Sequence, residues 1–292
     1  MTHQKLLLLH PGEMGAAIGA RLVEKGASVF WVGTGRSPAT RARALQAGLT
    51  DAQTLEQGVR EASIVLSVCP PHGAIDQAKA VAQAGFTGQY VDANAVSPDT
   101  SAQVAEIIQN AGGSFTDGGI IGPPPTGQAN TRLYLSGPQA TLLASWFDAG
   151  ALAARSLENQ NPYAASALKM CFGGWNKARS ALLANLITLA SHHGVEQDLR
   201  QEWSAMEPTL LRYFDPENKG SVTGNARKAW RWNAEMREIA ATLEQAGLPA
   251  GFHLAAGEVF DRLATFKDHD SPPSLETLTE QLLHPPAAKR EG

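Results

Sequence analysis

The stretch His10-Pro-Gly12-Glu-Met-Gly15-Ala-Ala-Ile-Gly19 constrains this chain more than any other. It follows a short apolar run, Lys5–Leu9, and opens a segment, Gly15–Lys25, whose apolar residues recur at helical spacing. A buried strand therefore turns through glycines directly into a helix. The first amides of such a helix, here including the backbone of Glu13 and Met14, have no partner within the helix, and its dipole favours negative charge in front of them. Gly12 lets the backbone come close to a phosphate, and Gly15 lets helix and strand pack closely. The first position of the G-x-G-x-x-G spacing is His10, so the fingerprint is degraded and takes its force from the strand–turn–helix context. A glycine-containing turn with no ligand is the bland alternative.

The first half continues in the same alternation. Ser28–Val32, Ile64–Val68, Gln89–Asp92, Ser114–Asp117 and Arg132–Ser136 read as strands, and Thr100–Ala111 reads as a helix, with Gly26, Gly85 and Gly112 at helix ends. This is the pattern of βαβ units on a parallel sheet. After Asn161 it changes: Tyr163–His193 contains no proline and no strand-like alternation, only a long Ala/Leu-rich helical pattern, and Gln201–Tyr213, Asn225–Ala246 and Ala255–Phe266 are helical too. The expected architecture is an α/β Rossmann domain over residues 1–161 followed by an all-α C-terminal domain over 162–292, joined by a long interdomain helix. The polar tail Pro285–Gly292 is expected to fray.

A length of 292 residues suits two domains, and 43% hydrophobic with 18% charged residues suits a globular chain. With 24 basic against 28 acidic side chains, net −4, there is no global attraction to nucleic acid or to an anionic membrane, so any anion must be held by a local site. Cys69 and Cys171 have no metal-ligand spacing and no disulfide framework, which fits a reducing compartment. No run approaches the ~20 apolar residues of a membrane span. The apolar run Lys5–Leu9 is followed by Pro11-Gly12-Glu13 instead of a cleavage site, so the cytoplasm is the expectation.

The end of the second strand bears on the cofactor. Enzymes that use NAD place a carboxylate there for the ribose hydroxyls. Here the residues are Val32-Gly33-Thr34-Gly35-Arg36-Ser37, and no carboxylate lies between Ser28 and Thr50. A guanidinium at Arg36 with hydroxyls at Thr34 and Ser37 suits a 2′-phosphate, so NADP(H) is expected over NAD(H). Arg41 and Arg43 are expected on a solvated helix face. Two further loops, Cys69-Pro70-Pro71 and Asp92–Pro98, follow strands and point at the same cleft. Asn94 suits a ribose or substrate hydroxyl, or equally an Asx-type turn; Cys69 reads more simply as a small buried residue.

Lys169, on the long helix, has Ala165, Ser166, Phe172 and Gly173 at helical spacing and no acidic partner among them. Apolar surroundings lower an ammonium's pKa and make it a usable proton donor and acceptor. The residue reads equally as a lysine snorkelling at a domain junction.

In the order His10–Gly19, Cys69-Pro-Pro, Asp92–Pro98, Asp117–Gly122 and Lys169, the chain resembles the β-hydroxyacid dehydrogenases, which include 3-hydroxyisobutyrate and 6-phosphogluconate dehydrogenases. Gly122-Pro-Pro-Pro, Arg132-Leu-Tyr-Leu-Ser-Gly, Lys228-Ala-Trp-Arg-Trp and Gly251-Phe-His resemble a branch with a phosphogluconate-dehydrogenase-like helical domain. The resemblance implies that Lys169 is the general acid/base for hydride transfer at a hydroxyl or carbonyl carbon, and that the chain is a homodimer. Three positions depart from the pattern: Gly173 replaces the asparagine one turn after the lysine, Asn94-Ala95 replaces a Ser-Thr pair, and Ile121 replaces a serine.

These residues together point to a dehydrogenase or reductase acting on a small-molecule substrate, with Lys169 catalytic. Asn94, Gly122, Trp175 and Asn176 are expected at the substrate. Gly12, Glu13, Met14, Gly15, Thr34, Arg36, Ser37, Cys69, Pro70 and Asn94 are expected at NADP(H), and no metal is expected. Trp230, Trp232 and Phe252 are either pocket walls or helix packing, and Arg231 either grips an anion or pairs with Glu235. Imine reduction and a non-catalytic NADPH sensor are the alternatives.

Overall fold

The computed structural model describes residues 4–285 except 159, 219 and 268, so the tail beyond Pro285 lies outside it. The chain divides into two compact units, Met1–Met170 and Cys171–Gly292.

The first unit is built on eight strands: β1 (Lys5–Leu8), β2 (Ser28–Trp31), β3 (Thr50–Asp51), β4 (Ile64–Ser67), β5 (Gln89–Asp92), β6 (Ser114–Ile121), β7 (Thr131–Ser136) and β8 (Leu152–Ser156). Their order in one sheet is β3-β2-β1-β4-β5-β6-β7-β8. All neighbours are parallel except β6 and β7. Helices α1 (Glu13–Glu24), α2 (Pro38–Gln46), α3 (Leu55–Glu61), α4 (Ala74–Gln83), α5 (Pro98–Asn110) and α6 (Ala140–Phe147) connect or cover the strands.

The unbroken leucines of β1 follow from this layering. Leu6 and Leu8 enter a core with Ile18, Leu22, Leu135 and Phe147. Leu7 and Leu9 enter the opposite core with Val59, Val81, Tyr90 and Ile108. A strand covered on both faces has no polar side, so alternation disappears. The sheet order reverses at β1/β4, and ligands of open α/β sheets sit at the carboxyl ends of strands at such a reversal.

Several elements carry little apolar pattern and escape a sequence reading. Helix α2 buries only Ala44 and is set instead by its Ser37 cap and Pro38. Helix α3 starts with a Thr54/Gln57 capping box. Strand β6 runs four residues beyond the expected Asp117, through Gly118-Gly119, a pair that disguises a strand.

Helix α7 (Ala164–His192) spans 29 residues, about 43 Å, and runs from the first unit into the second. The second unit is helical: α8 (Glu196–Met206), α9 (Val222–Ala226), α10 (Ala229–Gln245), α11 (Gly251–Arg262) and α12 (Leu275–Leu283). The expected helix at Gln201–Tyr213 is in fact α8, starting earlier, then a 3-10 turn from Pro208, because proline cannot continue the α-helical bonding. The core of this unit includes Met236 and Ile239 of α10 with Val259 and Phe260 of α11. Among the described residues no helix is long and apolar enough to cross a membrane.

Candidate functional site

At the sheet reversal, β1 leads through Leu9, His10 and Pro11 to Gly12, the residue that opens α1. No side chain caps this helix, and nothing lies within 4 Å of where a Cβ on Gly12 would stand. At Gly15 the opposite holds: any Cβ would collide with the His10 carbonyl, so the turn closes only on glycine. The amides of the first turn of α1 thus face an open approach. This fits a diphosphate. His10 is half-buried beside Arg36; burial first, and the guanidinium second, hold its pKa down to about 4, so the ring is neutral at pH 7.

Arg36 donates from Nη2 to the Leu9 carbonyl at 3.1 Å, which draws the guanidinium onto the glycine turn. Arg43 donates to the Pro11 carbonyl at 3.2 Å and Arg41 to the Gly33 carbonyl at 2.5 Å, so neither is the purely solvated side chain expected. A carboxylate that the linear sequence hid also arrives here. Asp51, from β3, accepts from the Gly33 amide at 3.0 Å and lies 3.6 Å from Arg41. The tip of β2 therefore carries three guanidiniums and one carboxylate already engaged. Thr34 and Ser37 flank Arg36 and are exposed; the Ser37 hydroxyl caps α2, accepting from the Thr40 amide.

The Asn94 side chain is committed within the chain. Its oxygen accepts from the Cys69 amide at 2.6 Å, and its nitrogen donates to the Ser67 hydroxyl at 3.0 Å. It is 2% exposed. Considered for a ribose or substrate hydroxyl or for an Asx-type turn, Asn94 ties the β4 and β5 loops together, and so sets the course of Cys69-Pro70. The Cys69 thiol is pushed up to about 12, by burial first and the neighbouring Asp92 second, which leaves it protonated and unreactive.

Lys169 is placed by the start of α7. Asp117, at the middle of β6, accepts from the Ser166 amide at 2.8 Å and from the hydroxyls of Ser166, Ser101 and Ser136. Ser136 in turn accepts from the Ala165 amide. The unpaired amides of the helix start are thus met by side chains of the sheet. Burial raises the Asp117 carboxyl against the opposing pull of these donors. A Cβ on Gly119 would lie 2.5 Å from the Ala165 carbonyl oxygen, so α7 crosses β6 where only glycine fits. One turn on, Lys169 donates from Nζ to the Ile120 carbonyl at 2.8 Å. Gly122 follows at φ +122, and Pro123–Pro125 have no N–H to offer a carboxylate.

The remaining expected residues lie in the second unit. Trp175 is 66% exposed. Asn176 donates to the Phe172 carbonyl one turn back, at 2.9 Å. Glu235, considered for Arg231, instead pairs with Lys177. Trp232 packs edge-on to Phe260 and also lines a cavity of the helical unit, while Trp230 is exposed, with Lys267 over its ring. Phe252 is exposed, with His253 edge-on to its ring.

Residues 10–145 match the family described as the NAD binding domain of 6-phosphogluconate dehydrogenase, and residues 190–263 match a domain described as being of unknown function, DUF1932. Residues 10–145 therefore belong with the NAD-binding domains of the 6-phosphogluconate dehydrogenase type. The chain is similar to a conserved protein whose structure is likened to 3-hydroxyacid dehydrogenases (26% identity, 90% of this chain and 98% of that one, TM-score 0.64). In fold it is similar to 3-hydroxyisobutyrate dehydrogenase of Mycobacterium tuberculosis (19% identity, 96% and 99%, TM-score 0.69). It also shares the fold of an imine reductase from Myxococcus stipitatus, a complex with NADP+ (17% identity, 96% and 99%, TM-score 0.55). Comparison with curated proteins gives no significant match. The first unit accordingly carries an NAD-binding domain.

Proposed function

We propose that the protein is a cytoplasmic NADP(H)-preferring oxidoreductase that moves a hydride between the nicotinamide and the alcohol or carbonyl carbon of a small substrate. The observation that carries this reading is the seat of Lys169, whose Nζ is held by the Ile120 carbonyl where β6 runs out. When bound, the cofactor supplies or takes up the hydride. Lys169 supplies or takes up the proton on the substrate oxygen, so that charge does not build on it. The Ile120 carbonyl and the α7 crossing fix the ammonium, Gly122 turns the chain beside it, and Asn94 holds the Cys69-Pro70 loop. The first-turn amides of α1 receive the diphosphate, and Arg36 with Thr34 and Ser37 receives the 2′-phosphate.

Arg36→Ala is expected to weaken NADPH about 10–100-fold, the loss of roughly 1.5–3 kcal/mol of charge-assisted hydrogen bonding, with little change for NADH. Titration of both cofactors checks it; equal losses for the two would refute the 2′-phosphate role. Asp51 already bonds Gly33 and lies beside Arg41, which supports this preference over a ribose-gripping carboxylate.

Imine reduction is favoured as a second reading by one feature, the loop Gly122-Pro-Pro-Pro, which lacks amide donors for a carboxylate substrate. A panel of ketones and cyclic imines, followed at the NADPH absorbance, separates the two; inactivity on all, with NADPH still bound, would point to a sensor.

The partner we propose is a second copy of the chain. Phe172, Trp175, Leu182, Leu186 and Leu189 are all exposed and recur at steps of three, seven, four and three residues along one stripe of α7, the spacing of a helix–helix seam. Light scattering is expected to give a dimer, and Leu182→Glu with Leu186→Glu a monomer. A monomeric wild-type protein would remove the idea.

A further inference from the structure

The helical unit contains a cavity of about 360 Å³ lined by Asn176, Arg179, Ser180, Arg212, Tyr213 and Asn225 among others. Among the described residues its lining includes no aspartate or glutamate. Lys177, a third cation of the same wall, is paired with Glu235. The guanidinium of Arg179 lies 5.1 Å and that of Arg212 4.9 Å from the centroid of one ring, Tyr213, so the two cations stand no more than about 10 Å apart. Arg212 donates to the Tyr213 hydroxyl at 2.8 Å. Arg179 also lies over Trp175, and its buried Nε meets no acceptor among the described residues. Asn225 donates to the Ser180 hydroxyl at 3.0 Å, so the lining also carries a hydrogen-bonded polar pair.

Two guanidiniums held together without a facing carboxylate repel each other, and a buried N–H without an acceptor is costly. Both costs are relieved by one kind of guest. We propose that this cavity is a binding site for a small organic anion carrying a phosphate or carboxylates, gripped by Arg179 and Arg212 and met along its neutral part by Asn176, Ser180 and Asn225. Guanidiniums suit such groups because their donors match two acceptor oxygens at once. The aromatic faces of Trp175 and Tyr213 hold the Arg179 fork in place. This inference rests on residues of the helical unit alone and is independent of the reading of Lys169 and Arg36.

The test is calorimetric titration of the full-length protein, without cofactor, with inorganic phosphate and separately with citrate, in low-chloride buffer. Saturable binding is expected, weakened at least tenfold by Arg179→Met and by Arg212→Met and less by Arg179→Lys. Because phosphate can also enter the dinucleotide turn, Arg36→Met serves as the control, and it is expected to keep the cavity's binding. Asn176→Asp, which adds a carboxylate to the wall without removing an aromatic contact, is expected to abolish binding even if the arginine variants fold poorly. Absence of saturable binding, or binding lost in Arg36→Met but kept in Arg179→Met and Asn176→Asp, would overturn the proposal.

Discussion

Lys169→Ala is expected to lower turnover about 10²–10⁴-fold while NADPH binding is retained. The magnitude is that of a positioned proton donor removed from a reaction whose hydride step is otherwise intact. The ammonium is anchored to the Ile120 carbonyl, and the helix that bears it meets β6 over Gly119, so the position does not drift with loop motion. Removing the side chain leaves the cofactor turn and Arg36 untouched, since these belong to the opposite part of the sheet order. The readout is therefore a split: kcat falls and the cofactor Kd stays. Lys169→Arg should not restore activity, because a guanidinium releases its proton far less readily. Turnover within about tenfold of the wild type in Lys169→Ala would sink the acid/base assignment.

Asp117→Ala should be the most damaging single change to stability in the first unit. It strips the acceptor from one backbone amide and three hydroxyls at once, all at the start of α7. Each hydrogen bond to a charged group contributes about 1.5–3 kcal/mol, and donors left buried without a partner cost more than the bonds themselves gained. Partial relaxation and the relief of burying a carboxylate offset part of this, so a net loss of roughly 3–5 kcal/mol is expected. Urea unfolding measures it as a lower midpoint. A loss below about 1 kcal/mol would show that the network is not what holds the helix start. A variant that still folds should also lose turnover, because Lys169 sits one turn from Ser166. Asp117 is in this sense a positioning residue.

Asp117 also shows what pattern reading misses. In the sequence it ends an expected strand; in the structure it lies mid-strand and caps a helix that begins 47 residues later in the chain. No local signal announces such a cap, because its partners Ser101, Ser136 and Ser166 come from three different elements. Asp51 is similar. It stands 15 residues beyond Arg36 in the sequence, yet the parallel pairing of β3 with β2 brings its carboxylate to the Gly33 amide. Asn94 was visible as a functional type, but only the tertiary structure shows both ends of its amide already used by Cys69 and Ser67.

What the sequence determined by itself was everything carried by local periodicity and turn chemistry. Both faces of β1 are buried, so an uninterrupted leucine run names it; Gly12 and Gly15 mark the turn into α1; the proline-free stretch after Asn161 yields the long helix. These signals are local because covalent geometry links them within a few residues. The tertiary structure decided which side chains remain available for ligands. Arg36 is drawn to the Leu9 carbonyl, Lys169 to the Ile120 carbonyl, and Asn94 is withdrawn into a loop tie. The physical reason is competition: each polar group takes the best partner that folding brings near, and those partners come from strands and helices distant in the sequence.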